Sequence, residues 1–175
     1  RKEGGGALPG SVVVATHNTS RVPEFGGSFW VRLQYMLGLL DLGIDARWID
    51  RLDPVDPLRA PHSEAYMIRR FAASADAFGL AGRHTVLAGG VGGGAEERTA
   101  LAREWISEAD VLLNIGGHLP SGSPLLEIPR RAYVDVDPGF TQIWAHDVDV
   151  GLEGHDVFFT VGQNVGSPEF GIPTA

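Results

Sequence analysis

The sequence predicts an α/β fold: one Rossmann-like, doubly wound and mainly parallel sheet of about six strands, covered by helices. Three observations predict it. Short apolar runs alternate with amphipathic segments along the 175 residues. The apolar runs are continuous and rich in valine, which is typical of strands buried on both faces. Glycines separate the two kinds of segment, as in βαβ units.

The first βαβ unit shows the pattern most clearly. Residues 11–16, SVVVAT, form a β-branched run that favours a buried strand. Apolar residues recur at helical spacing through residues 28–42, with Ser28 placed to cap the helix and Gly43 to end it. Residues 45–50, DARWID, return as the second strand.

The same reasoning predicts the remaining elements. Polar loops that contain glycine or proline separate them. Helices are expected over 63–78, 95–109 and 141–146, and strands over 84–88, 110–115, 131–136 and 156–161.

Composition bounds the class of protein. The net charge of −8 argues against a nucleic-acid-binding surface, and the absence of cysteine excludes disulfides, thiolate metal sites and cysteine nucleophiles. No apolar run approaches the ~20 residues of a membrane span, so a cytoplasmic protein is expected. Residues 11–166 are predicted to form a single domain, after a flexible segment over 1–10 and before a linker or truncated end over 167–175.

Two histidines lie where predicted strands end, which is where open α/β sheets bind ligands. His17 follows the first strand, and His118 follows Gly116 and Gly117 after the fourth. Either is a candidate general base, oriented in the case of His17 by Asp137 or Glu24. The alternative for each is a histidine that only hydrogen-bonds loop backbone. The histidines are too scattered for a zinc site.

Asp135 and Asp137 alternate along the fifth predicted strand, so both point to one face. Such a pair suits Mg²⁺ binding or acid–base chemistry. A turn role for Asp137, which precedes Pro138, explains the pattern better. No metal site is therefore predicted.

Gly26, Gly27 and Ser28 open the first helix, and a helix N-terminus there is a candidate site for a phosphate group. The loop before them is too long for the G-x-G-x-x-G turn of dinucleotide-binding proteins. The glycine-rich stretch 89–94 follows a strand, but no acidic residue ends the next strand at the expected distance. No lysine follows these glycines as in a P-loop.

Three stretches carry a resemblance to a known family: GGSFWVRLQYMLGLLDLGIDARWID, ADVLLNIGGHL and HDVFFTVGQNVG. In their order and patterning they resemble the N-terminal domain of GT-B-fold glycosyltransferases, over nearly the whole chain. The resemblance implies an acceptor-binding half whose partner domain holds most of the sugar-nucleotide donor. It places Gly26 and Gly27 at the donor phosphates and His17 near the catalytic base, and it implies no bound metal. The family's donor motif is absent from this chain.

The predicted function is therefore transfer of a sugar from a nucleotide-sugar donor to a small-molecule or glycan acceptor, without a separate cofactor. His17, His118 and Asp137 are the candidate catalytic residues, and Gly26, Gly27 and Ser28 the candidate donor-binding residues. Two alternatives stay open: a non-catalytic ligand-binding or scaffold domain, and a nucleotide-cofactor enzyme that uses the 89–94 loop. A second domain or a homo-oligomer is also left open.

Overall fold

The computed structural model describes residues 10–21, 26–56, 58, 60–88 and 94–171. Strands and helices alternate along these residues, as the sequence predicts. The strands are β1 (Ser11–His17), β2 (Asp45–Leu52), β3 (His84–Ala88), β4 (Val111–Ile115), β5 (Arg130–Asp135) and β6 (Val157–Thr160). The α-helices are α1 (Gly26–Asp41), α2 (Glu64–Ala77), α3 (Ala95–Glu108) and α4 (Phe140–Trp144), and two 3₁₀ turns cover Pro124–Glu127 and Pro168–Phe170.

The six strands form one sheet in the order β3-β2-β1-β4-β5-β6. Every neighbouring pair is parallel. The predicted doubly wound parallel sheet is thereby confirmed. The order reverses between β1 and β4, so the two loops that leave these strands define the crevice in which such sheets bind ligands.

Two hydrophobic clusters cover the two faces of the sheet. Helices α1 and α2 pack on the first face, where Leu33, Met36 and Phe71 join Trp48 of β2. Helix α3 packs on the second face, where its Trp105 joins neighbouring strand residues. Because strand side chains alternate between faces, Val12 and Val14 belong to the first cluster, and Val13 and Ala15 to the second.

The ends of the first two helices test the capping predictions. Gly43 follows α1 in the left-handed region at φ +76°, which confirms it as the residue that ends the helix. The prediction that Ser28 caps α1 is wrong, because Gly26 and Gly27 are already helical and Ser28 is the third residue of the helix. In α2, Ser63 is the N-cap and accepts a hydrogen bond from the backbone N–H of Tyr66.

The last strand lies at the edge of the sheet and is shorter than the predicted 156–161. All four residues of β6 are exposed, including Phe158 and Phe159. The edge strand nevertheless pairs in register with β5, with Asp135 opposite Thr160. None of the described helices has the length and hydropathy that a bilayer span requires.

Candidate functional site

The candidate site begins where β1 and β2 end side by side. Parallel pairing places His17 opposite Arg51. Two residues beyond Arg51 the chain returns Asp53 toward β1, and His17 Nε2 lies 2.7 Å from Asp53 Oδ2. The His17 side chain is 16% exposed and the Asp53 side chain 35%, so the pair is shielded but reachable from solvent.

Asn18 holds Asp53 in position, and Asp53 in turn sets the tautomer of His17. Its Oδ1 accepts the backbone N–H of Asp53, and its Nδ2 donates to Asp53 Oδ2 at 3.0 Å. Asn18 Nδ2 also lies 2.9 Å from His17 Nε2, but that nitrogen cannot accept a hydrogen bond from Asn18 while it donates one to a carboxylate. A lone pair facing Asp53 at such short range would be repelled, so Nε2 carries the hydrogen and Nδ1 keeps the lone pair.

The surroundings keep His17 neutral and Asp53 charged. Burial lowers the pKa of His17 by more than the hydrogen bond to Asp53 raises it, and the nearby charge of Arg51 lowers it further. Burial alone would raise the pKa of Asp53, but hydrogen bonds from Asn18 and His17 hold it below its ordinary value. A neutral imidazole oriented by a carboxylate is the arrangement that a general base requires.

His118 completes the cluster from the other side of the crevice. Its ring centroid lies 5.0 Å from that of His17. Arg51 joins the two loops, since it donates to Asp53 Oδ1 at 2.8 Å and also to the backbone carbonyl of His118. Burial lowers the pKa of His118, as does the charge of Arg51. The structure therefore brings together the two histidines that the sequence singled out.

A buried carboxylate supports the loop that carries these groups. Asp50 is fully buried and accepts four hydrogen bonds, from the hydroxyls of Thr16 and Ser20 and from the backbone N–H groups of Thr19 and Ser20. Trp48 donates to the Thr16 hydroxyl and extends the network into the core. Asp50 thus holds the turn after His17 in place.

The carboxylate that orients His17 was not the one expected. It is Asp53, in place of the predicted Asp137, and Glu24 lies outside the described residues. The backbone N–H of Asp137 donates to the buried carboxylate of Asp135, and Asp137 lies in the bend after β5, as its turn interpretation expects. A catalytic role for Asp137 stays a prediction. The available signal for Asp53 was its place in the loop after the second predicted strand, on the side of the sheet where such folds bind ligands.

Asp135 is taken up by structural contacts. Besides the Asp137 N–H, it accepts hydrogen bonds from the side chains of Thr141, Gln142 and Thr160. These donors fasten α4 and β6 to β5. Over the described part of the chain, no group of three or more histidine, aspartate or glutamate side chains is placed to hold a metal ion.

Gly26, Gly27 and Ser28 form the first turn of α1, where backbone N–H groups lack partners within the helix. Arg32 lies one turn further on, with its Nη1 on the Ser28 carbonyl at 3.1 Å. Its Nε is buried without a hydrogen-bond partner, and a Cβ built on Gly116 would lie 3.0 Å from its Nη2. The Arg32 guanidinium therefore extends from α1 to the end of β4, and no pattern in the sequence singled out this residue.

Gly117 supplies a test of how tightly the crevice is packed. It has φ +71°, and an added Cβ would clash with the Tyr133 hydroxyl and lie 2.6 Å from the Val150 carbonyl oxygen. We expect Gly117→Ala to lower the free energy of unfolding by about 2–4 kcal/mol, combining backbone strain with overpacking. Chemical denaturation measures the change.

Gly82→Ala is the matched control for that substitution. Gly82 has nearly the same φ, at +73°, but no residue in the described part of the chain lies within 4 Å of its added Cβ. This variant should therefore report the backbone strain alone. Equal losses in the two variants would contradict close packing at Gly117.

The chain was compared with models of known protein families, with curated proteins and with solved structures, and none of them matches.

Proposed function

We propose that this chain is the acceptor-side half of a glycosyltransferase that uses a nucleotide-sugar donor. The observation that carries the proposal is the His17–Asp53 pair, with 2.7 Å between Nε2 and Oδ2, at the crevice between β1 and β4. Transfer to a hydroxyl needs a base at the acceptor and positive potential at the leaving group. Groups able to supply both are present along this crevice.

The base is His17. Asp53 holds the Nε2–H of His17, which leaves Nδ1 to accept the proton of the acceptor hydroxyl. The hydroxyl oxygen attacks the anomeric carbon of the donor as it loses this proton. The new C–O bond forms as the bond from the anomeric carbon to the diphosphate breaks. The diphosphate leaves with that electron pair, and Asp53 stabilises the imidazolium that results.

The leaving diphosphate would meet the first turn of α1. Partial positive charge at a helix N-terminus favours an anion there, and the N–H groups of Gly26, Gly27 and Ser28 belong to that turn. Arg32 adds a full positive charge nearby. Burial lowers the pKa of its guanidinium below the ordinary value, although the charge of Asp50 opposes this effect. Most donor contacts would come from a second domain, so this chain alone should bind nucleotide diphosphates weakly.

A dinucleotide-cofactor function has less support. In such folds an acidic residue at the end of the second strand binds the ribose hydroxyls. The acidic residue at the end of β2 is Asp53, whose carboxylate is already held by His17, Asn18 and Arg51. The glycine-rich alternative, residues 89–94, lies outside the described residues except for Gly94.

A transfer assay tests the proposal. The full-length gene product is incubated with a panel of nucleotide-sugar donors and with hydroxyl-bearing acceptors, and mass spectrometry detects acceptors that have gained a sugar. Product formation that depends on His17 supports the proposal. Failure to transfer from every common donor class, together with a folded protein, counts against it.

Gly27→Leu tests the donor-phosphate site. None of the described residues lies within 4 Å of a Cβ at Gly27, so they leave room for a side chain there. If a diphosphate approaches this turn, the leucine should weaken nucleotide-diphosphate binding by tenfold or more, as measured by calorimetric titration in the full-length protein.

Gly38→Leu is the control on the same helix. Gly38 is also exposed, and its added Cβ likewise meets no described residue within 4 Å. Binding should be unchanged in this variant. Unchanged affinity in Gly27→Leu as well would assign the glycines a structural role only.

A further inference from the structure

A second feature of the site is a cleft of about 470 Å³ on the α3 face, beside the His17–Asp53 pair. Its volume lies within the range of small-molecule sites, about 300–1,000 Å³. Arg51 and Asp53 form one end, and the opposite wall is the loop from Pro120 to Leu125. His17 is not part of the lining and adjoins the cleft only through Asp53, to which it is hydrogen-bonded.

Aliphatic side chains form most of the surface of the cleft. They come from the ends of β2 and β3, from one face of α3 and from the loop: Leu52, Leu87, Ala88, Ala102, Ile106 and Leu125. Burying apolar surface against such a wall is worth about 25 cal/mol per Å². The cleft therefore favours an occupant with an apolar body.

Not every polar group of the cleft is engaged, since the Arg51 Nε is buried without a hydrogen-bond partner among the described residues and the exposed Arg103 and Ser121 also belong to the lining. Thr99 and the two terminal nitrogens of Arg51 are engaged. The Thr99 hydroxyl donates to the Ala95 carbonyl, and Arg51 is shared between Asp53 and the His118 carbonyl. The aliphatic wall itself offers no hydrogen-bond partner to the several hydroxyls of a sugar, and an unpaired buried polar group is costly.

The wall opposite β2 is held in place. Leu119 and Leu125 are both buried, at 1% and 2% exposure, and anchor the two ends of the loop. Between them the Ser123 N–H donates to the Pro120 carbonyl at 3.0 Å, and Pro124 opens a 3₁₀ turn. A loop fixed in this way forms the cleft before any ligand binds.

We propose that this cleft binds the apolar body of the acceptor, so that the acceptor is a hydrophobic alcohol or phenol and not a glycan. The inference rests on the proposed function, because it takes the group beside His17 to be the acceptor hydroxyl. Occupation of the cleft itself does not require a donor, and it can be measured without one.

The experiment titrates this chain with 2-naphthol, and separately with methyl α-glucoside, and follows amide chemical shifts by NMR. Saturable shifts at cleft residues such as Leu87, Ala102 and Leu125 are expected with naphthol and not with the glucoside. No saturable shift with naphthol, or tighter binding of the glucoside at the same residues, would overturn the inference.

Thr99→Phe fills the cleft from α3 and should weaken naphthol binding by tenfold or more. Ser107→Phe puts the same aromatic group on the exposed side of the same helix and should leave binding unchanged. If Thr99→Phe does not fold, Ser121→Trp blocks the mouth from an exposed position on the loop. Binding that survives a folded blocking variant contradicts the inference.

The two proposals fail separately. Naphthol binding in the cleft without sugar transfer from any donor would support the apolar ligand site and contradict the transferase function. Transfer to glycans by a protein that does not bind naphthol would support the transferase function and contradict the apolar acceptor.

Discussion

His17→Ala is expected to lower turnover by about 10²–10⁴-fold, the usual effect of removing a general base. The Nε2 of His17 is held by Asp53 at 2.7 Å, which leaves Nδ1 as the proton acceptor. Substrate affinity should change less than turnover, because the base acts mainly in the transition state. Steady-state kinetics with the transferring donor and acceptor measure both quantities.

The pH profile adds a readout that a structural role would not change. His17 acts only when neutral, and burial lowers its pKa below the ordinary value of about 6.5. The acidic limb of kcat/KM should therefore lie below that pH, with a plateau at neutral pH. Asp53→Asn should lower turnover. It should also move the acidic limb to lower pH, because it removes the negative charge that stabilises protonated His17.

Two variants check the assignment. His146→Ala removes an exposed histidine outside the crevice and should leave turnover unchanged. His118→Ala should reduce turnover less than His17→Ala, because His118 has no carboxylate partner at hydrogen-bond distance among the described contacts. The reverse ranking, or full turnover in a folded His17→Ala variant, would move the base away from His17.

The sheet was predictable because each strand carries its own signal. Continuous β-branched runs such as SVVVAT need burial on both faces, and only a sheet covered on both sides provides it. The ends of the helices and strands were harder to predict. Helix α1 begins at Gly26 and not at the predicted Ser28. Hydrophobic periodicity missed its first two residues because glycine has no side chain that could show it.

The candidate site was predictable in part. The rule that ligands bind beyond the carboxyl ends of strands selects His17 and His118, and the structure places their rings 5.0 Å apart. The rule does not say how a loop folds back. Asp53 reaches His17 through the conformation of the loop after β2, which depends on Asn18 and Arg51 and not on spacing along the chain.

Asp50 shows the same limit for buried groups. Its sequence position is that of an ordinary strand-end carboxylate, and nothing in the periodicity says that it is fully buried. Its partners Thr16, Thr19 and Ser20 are distant in sequence and meet it only when β1 pairs with β2 in register.

Asp50→Ala is expected to lower the free energy of unfolding by about 3–5 kcal/mol. The carboxylate accepts hydrogen bonds from two hydroxyls and two backbone N–H groups, and its loss leaves these four donors buried without an acceptor. Urea denaturation followed by circular dichroism measures the change. Asp50→Asn should recover part of the loss, because the amide oxygen still accepts from this loop.

Asp41→Ala is the matched control, since Asp41 is exposed in the last turn of α1 and its negative charge there opposes the helix dipole. That variant should be neutral or slightly more stable.

The Asp50→Ala variant also tests the link to function, because the turn that Asp50 holds begins directly after His17. Any transferase activity of Asp50→Ala should therefore fall even at temperatures where the variant stays folded. A loss of stability below about 1 kcal/mol, the size of a surface substitution, would show that the four donors find other acceptors.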